Sequence, residues 1–314
     1  MKKIAYGVVL IIVAACTKEV HIDIPGYVQQ LVIDGNIETG GPPFVVLSTT
    51  QDIYSPTDLN SLYNSFVSGA TVIVSDGTTT VQLDEICSDN LPPGYEDLAA
   101  SYFGIPADQL ANYHLCAYTS FNPAIWGQVG RTYALTVDYD GKEYTASTQI
   151  VQPVALDSVY WKSEASAPGF GYSWAILSDP AAGFNAYYWE SKRINHQPNG
   201  NTLDPGYTHA YSPVFDDDFI NGKTFEFAYE NPNAYGDSIP DDEQGYYAQG
   251  DSVVIKFSSI DRDVYEFLNK KFTQLQSNGN PFASPVYIPT NISGGAIGIW
   301  AGFSPVYDTL YCVE

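Results

Sequence analysis

The most constraining feature of this chain is its rhythm of short apolar runs that alternate with polar residues and stop at Gly, Asp or Pro. Side chains on a strand point alternately to opposite faces, so a period of two over four to eight residues marks half-buried strands. Between Gln30 and Ile150 the runs are Leu31 to Ile37, Phe44 to Leu47, Ala70 to Val74, Thr80 to Leu83, Tyr133 to Tyr139 and Glu143 to Ile150. The dipeptides at Asp34 and Gly35, Asp76 and Gly77, and Asp140 and Gly141 read as turns, since Asp and Gly tolerate the left-handed backbone of tight hairpins. Asp58 to Phe66 reads as a short helix, and Tyr95 to Tyr113 as one or two helices with Pro106 at a helix start. Gln152 and Pro153 mark a boundary, after which Val159 to Lys162, Tyr172 to Leu177, Ala186 to Arg193, Thr224 to Tyr229 and Ser252 to Ser258 read as strands. From Asp261 to Gln276 the period changes. Val264, Phe267, Leu268, Phe272 and Leu275 fall at helical spacing, with Asp261 at the start and Gly279 past the end. The expectation is a mainly β protein of two β-sandwich-like domains. Residues 30–151 form the first, Ig- or transthyretin-like with a helical insert at about 87–116, and residues 152–314 the second, with one long packed helix at about 261–277.

The first residues carry an address. Lys2 and Lys3 precede an apolar run from Ile4 to Ala15, the layout of a secretory signal. Twelve helical residues reach only ~18 Å, short of the ~30 Å of a bilayer's hydrocarbon core. Val13, Ala14 and Ala15 stand before Cys16, which resembles the bacterial lipobox. Residues 1–15 therefore read as a signal peptide, Cys16 as the lipidated first residue, and residues 16–29 as a tether; an ordinary secretory peptide is the alternative. Several acyl chains, palmitate among them, make a lasting anchor where one is marginal. Thr17 stands where aspartate would favour the inner membrane, so the outer membrane is expected, and Lys18 and Glu19 partly resemble the tether that sends Bacteroidota lipoproteins to the cell surface.

Two of the 13 basic side chains belong to that signal, so eleven remain against 36 acids and the exported chain carries a net charge of about −25. Such a surface repels nucleic acid and anionic lipid. With 25 Tyr, 15 Phe and 5 Trp, the composition suits twisted sheets with aromatic surfaces. Once Cys16 is assigned to lipid, Cys87 and Cys116 flank 28 residues, and a disulfide there would contribute about 3.6 kcal/mol in the chain-entropy model. A metal site with His114 is the rival reading. Cys312 is left as a small buried hydrophobe.

Motifs that carry chemistry are lacking: no nucleophile elbow, phosphate loop, zinc-protease helix or dinucleotide fingerprint occurs. No cofactor is expected, and the glycines at 294, 295 and 298 read as close packing or a bulge in an apolar strand-like run. Asp216, Asp217 and Asp218, and Asp241, Asp242 and Glu243, are calcium candidates against the plainer reading of solvated acidic loops. Asp followed by Ser or Thr and an aliphatic residue resembles the O-glycosylation sequon of Bacteroidota, which makes Ser158, Ser238, Ser252 and Thr309 candidates, Ser238 the best placed. Tyr187, Tyr188 and Trp189, or Tyr246 and Tyr247, offer a ligand platform or interface, with only alternate members sharing a face.

The order of these pieces resembles a Bacteroidota lipoprotein family, domain of unknown function 4249. The resemblance rests on the lipobox, LVIDGNI (31–37), SGATVIVSDG (68–77), GQVGRTYALTVDYDGKEYTA (127–146), GNPFASP (279–285) and SGGAIGIWAGFS (293–304). It implies an accessory surface lipoprotein that docks to a TonB-dependent receptor barrel of the outer membrane and assists nutrient capture, with a possible peptide or glycan ligand. It transfers no catalytic residue, and the insert around Cys87 and Cys116 is where partner specificity would reside. The expected function is non-enzymatic; a cell-surface hydrolase of glycan or peptide and a structural adhesin-like sandwich are the alternatives.

Overall fold

The computed structural model describes residues 28–51, 65–91, 93–103, 105–198, 200–277 and 286–313. The signal peptide, Cys16, nearly all of the helix expected at 58–66 and the motif at 279–285 lie outside them. The described residues carry an eight-stranded sheet. In spatial order its strands are β12 (Thr208–Asp216), β11 (Ala186–Arg193), β15 (Ser252–Ile260), β16 (Ile297–Tyr311), β1 (Leu31–Glu38), β2 (Pro43–Thr49), β6 (Cys116–Thr119) and β5 (Asp84–Cys87). Every neighbouring pair is antiparallel except β1 and β16, which run parallel from Val32 opposite Ile297 to Glu38 opposite Phe303. Four strands come from each side of Gln152 and Pro153, so the halves of the sequence meet in one sheet.

Two smaller sheets cover one face of the large one. The first has the order β4 (Thr80–Gln82), β3 (Thr71–Ser75), β7 (Thr132–Tyr139), β8 (Lys142–Gln149). Its Val72, Val74, Leu135 and Val137 pack against Ile33 and Ile37 of β1, Val45 and Leu47 of β2 and Trp300 of β16. In the second, β10 (Ala167–Ser178) pairs with β9 (Ser158–Glu164) on one edge, and with β13 (Thr224–Tyr229) and β14 (Tyr247–Ala248) on the other. Its Ala175 and Leu177 pack against Trp189 of β11, Ile255 and Phe257 of β15 and Leu310 of β16. Trp300 and Leu310 are both even positions of one strand, so the two sandwiches lie side by side on the same face.

The parallel seam exists because small residues let the strands approach. At Gly298, φ is +112° and an added Cβ would lie 2.0 Å from the Ile33 carbonyl oxygen. At Gly35, an added Cβ would lie 2.7 Å from the Trp300 ring, whose Nε1 donates to the Tyr133 carbonyl at 2.9 Å. Asp34 and Gly35 are therefore not a turn, as the dipeptide suggested: they run through the middle of β1, and the glycine makes room for the indole. The other two turns form as expected. Asp140 and Gly141, with φ of 50° and 72°, join Tyr139 to Lys142 in a two-residue hairpin, and Asp76 accepts from the Thr78 and Thr79 amides before β4.

The opposite face of the large sheet carries the long helix, α2 (Arg262–Gln276). Its Val264, Leu268 and Phe272 pack on Ala186, Ile260, Ile299 and Ala301. Asp261 caps it, accepting from the Val264 amide at 2.9 Å, while the other carboxylate oxygen takes the Gln149 amide and Thr148 hydroxyl of β8. The insert forms α1 (Glu96–Phe103) and a 3-10 turn (Ala107–Asn112) begun at Pro106, between β5 and β6.

Neighbouring glycines separate contact from conformation at the seam. Gly295 also has a left-handed φ, of +91°, but nothing lies within 4 Å of its Cβ direction. Gly295→Ala should cost about 1–2 kcal/mol, and Gly298→Ala distinctly more because a strand must move; urea unfolding of both variants measures the difference.

Candidate functional site

Beside α2, the helix-bearing face of the sheet forms a groove enclosing about 500 Å³. Its floor crosses the seam. Asp34, Asn36 and Glu38 of β1 stand next to Ile299, Ala301 and Phe303 of β16 in register, and Phe267, Leu268 and Lys271 of α2 form one wall. Further along, Glu190 of β11, Lys256 of β15 and Tyr307 of β16 occupy one cross-strand row, with Tyr188 and Tyr207 at its side. Groove residues alternate with core residues along each strand. Tyr187 and Trp189 are buried in the second sandwich while Tyr188 lines the groove, which settles how that aromatic triplet divides. Tyr247 is likewise buried, with its hydroxyl on Ser191, while Tyr246 is half-buried against Tyr172.

Lys256 organises the polar end. Its ammonium contacts Glu38 and lies 3.2 Å from Glu190, with side chains only 11% (Lys256), 14% (Glu190) and 30% (Glu38) exposed. Burial alone would discharge the lysine, but the two carboxylates outweigh it and hold its pKa above the ordinary value. Burial pushes the Glu190 carboxyl upward, and Glu38 adds to that shift while Lys256 opposes it. Tyr307 is pushed up to about 12, first by burial. Lys256 Nζ lies 5.6 Å from the centre of the Tyr207 ring, which is 6.0 Å from the Tyr307 ring. A cation so held is a fixed part of the floor. The described lining contains no Ser, Thr, Cys or His; its hydroxyls are the phenols of Tyr188, Tyr207 and Tyr307, and burial holds all three above the ordinary tyrosine range.

Two of the four strands that build this floor carry family motifs: LVIDGNI is in β1, and SGGAIGIWAGFS leads into β16. The family model described as domain of unknown function 4249 matches residues 17–306. The chain belongs to this family. No curated protein matches it. In this member of the 4249 family, the motifs SGATVIVSDG and GQVGRTYALTVDYDGKEYTA supply β3 and the β7–β8 hairpin of the first sandwich.

The residues singled out from sequence are dispersed around the groove. Cys87 and Cys116 form the expected disulfide, directly opposite on β5 and β6, and close the insert at its base. His114 Nε2 lies 3.5 Å from Cys116 Sγ and its Nδ1 is 2.9 Å from Asp89, so the rival trio is gathered, but with its sulfurs bonded to each other. Cys312 is buried, and burial pushes its thiol up to about 12. Among the described residues no other set of three His, Cys or acidic side chains brings its ligand atoms together, and this includes Asp216, Asp217 and Asp218 and Asp241, Asp242 and Glu243. Asp217 is buried beside the Asn185 amide. Ser158, Ser238 and Thr309 are exposed, Ser238 in a loop and the others on strands, whereas Ser252 is half-buried. Sequence reasoning missed Glu38, Glu190 and Lys256. The available signal was a lysine inside the apolar run of β15, since a buried lysine needs carboxylate partners.

Lys256→Met should destabilise the protein by about 3–5 kcal/mol at pH 8, because it strands two carboxylates. Between the ordinary glutamate range and the raised value of Glu190, the folded variant binds more protons than the unfolded chain. Its stability deficit should therefore shrink as pH falls toward 4, and adding Glu190→Gln should recover part of the loss; thermal melts across pH test both.

Proposed function

We propose that this chain is a surface-exposed, lipid-anchored outer-membrane protein that acts as the non-enzymatic ligand-binding component of a TonB-dependent nutrient-uptake system. The observation that carries this reading is the groove. Its volume falls in the range of small-molecule sites, and its floor is fixed by packed strands. Residues 1–16 support export and anchoring, since a charged start, a short apolar run and small residues before a cysteine suit lipoprotein processing. The charge of about −25 on the exported chain suits a protein that remains soluble at the membrane surface.

One observation favours the hydrolase alternative: of the three carboxyl groups in the groove, two, Glu38 and Glu190, lie close together on Lys256, and burial raises the second. Both are held by the same ammonium, which favours a structural ion cluster over an acid and base free to exchange protons.

Mild-detergent capture of the tagged full-length protein from its native outer membrane, read by mass spectrometry beside Cys16→Ala, tests the proposal. Stoichiometric recovery of one TonB-dependent barrel, lost or reduced in the variant, is expected. Recovery of the lipidated protein with no barrel enriched contradicts the uptake role.

A further inference from the structure

The charges lining the groove do not balance one another in a single cluster. Glu38 and Glu190 share Lys256, which leaves Asp34 on the floor and Lys271 on the helix wall. Among the described residues, the side chain of Asp34 is exposed and makes no hydrogen bond or ion pair, and neither does the ammonium of Lys271, which lies 5.9 Å from the centre of the Phe267 ring. The groove thus presents one unengaged anion on the sheet and one unengaged cation on the helix. Ile299, Ala301, Phe303 and Leu268, which also line it, are apolar. A ligand that satisfies all three features has an ammonium, a carboxylate and an apolar body joining them.

We infer that the groove binds a short peptide with free ends and uncharged side chains, its ammonium at Asp34 and its carboxylate at Lys271. This rests on the reading of the groove as the ligand site of an uptake protein and names the class of cargo. A space of about 500 Å³ suits a peptide of a few residues. Glycans fit less well. Asn36 and the hydroxyls of Tyr188, Tyr207 and Tyr307 offer neutral partners to a sugar, but a neutral sugar has no charge to set against Asp34 or Lys271. Polyanionic ligands are opposed both by the net charge of the chain and by the three carboxylates in the groove.

The test is calorimetric titration of the full-length lipidated protein in detergent with trialanine, trileucine and alanyl-phenylalanyl-alanine. Each is used free, N-acetylated and C-amidated, with maltotriose and chitotriose as glycan probes. At least one free tripeptide should saturate the protein at micromolar concentration, and blocking either end should weaken it by about tenfold or more, the loss of one charge-assisted contact. Asp34→Asn should abolish the penalty for acetylation and Lys271→Met the penalty for amidation. Neither side chain makes a hydrogen bond or ion pair among the described residues, so the fold should be retained. The inference is overturned if no free tripeptide saturates by millimolar concentration, if blocked and free peptides bind alike, or if a glycan binds instead. Receptor recovery without peptide binding overturns this inference alone, and peptide binding without a receptor overturns the uptake role alone.

Discussion

Everything in this molecule depends on one parallel contact between two strands from opposite ends of the chain. β1 and β16 are separated by more than 250 residues, and their pairing turns two sets of hairpins into a single eight-stranded sheet. The contact requires close backbone approach, which Gly298 permits beside Ile33 and Gly35 permits beside Trp300. Trp300 then fastens the seam to the first sandwich through Tyr133, and Leu310, ten residues further along β16, reaches the core of the second. Asp261 adds a polar tie, because one carboxylate both starts α2 and accepts from β8. The closure entropy of so long a loop grows only slowly with its length, whereas the apolar area buried on both sides of the seam is large.

The groove is a consequence of the same seam. Two sandwiches cover one face of the sheet; among the described residues, α2, of 15 residues, covers part of the other, and Phe103 of α1 meets it at Phe44. The remainder is where β1, β16, β15 and β11 place their alternate side chains, and apart from Ile299 and Ala301 those side chains are polar or aromatic. Replacing a buried ion cluster with apolar residues is often neutral or stabilising, so Glu38, Lys256 and Glu190 are not needed to hold the sheet together. Their retention on a concave face fits a binding surface whose polar groups are fixed before the ligand arrives.

The local elements were legible and the long-range ones were not. The β7–β8 hairpin was readable from alternation and from Asp140 and Gly141, and α2 from its apolar spacing and Asp261. β16 was visible only as an apolar strand-like run, because Gly298, Gly302 and Pro305 look like strand breakers. In the folded chain Gly298 serves close approach. The Phe303 carbonyl accepts from the Thr39 amide at the end of β1, so Pro305, two residues on, faces the same edge beyond that strand, where no amide hydrogen is required. Asp34 and Gly35 misled for the related reason that a dipeptide does not reveal which ring will pack on its glycine. The groove was hidden because its charged members lie on three strands, β1, β11 and β15, and on α2. Only their register brings Glu190, Lys256 and Tyr307 into one row.

Differential scanning calorimetry of the intact protein tests the shared sheet most directly. If the β1–β16 seam joins both sandwiches, unfolding is a single transition with equal calorimetric and van't Hoff enthalpies. Two resolved transitions, each with the enthalpy of about half the chain, would show that the halves fold independently and that the seam is incidental.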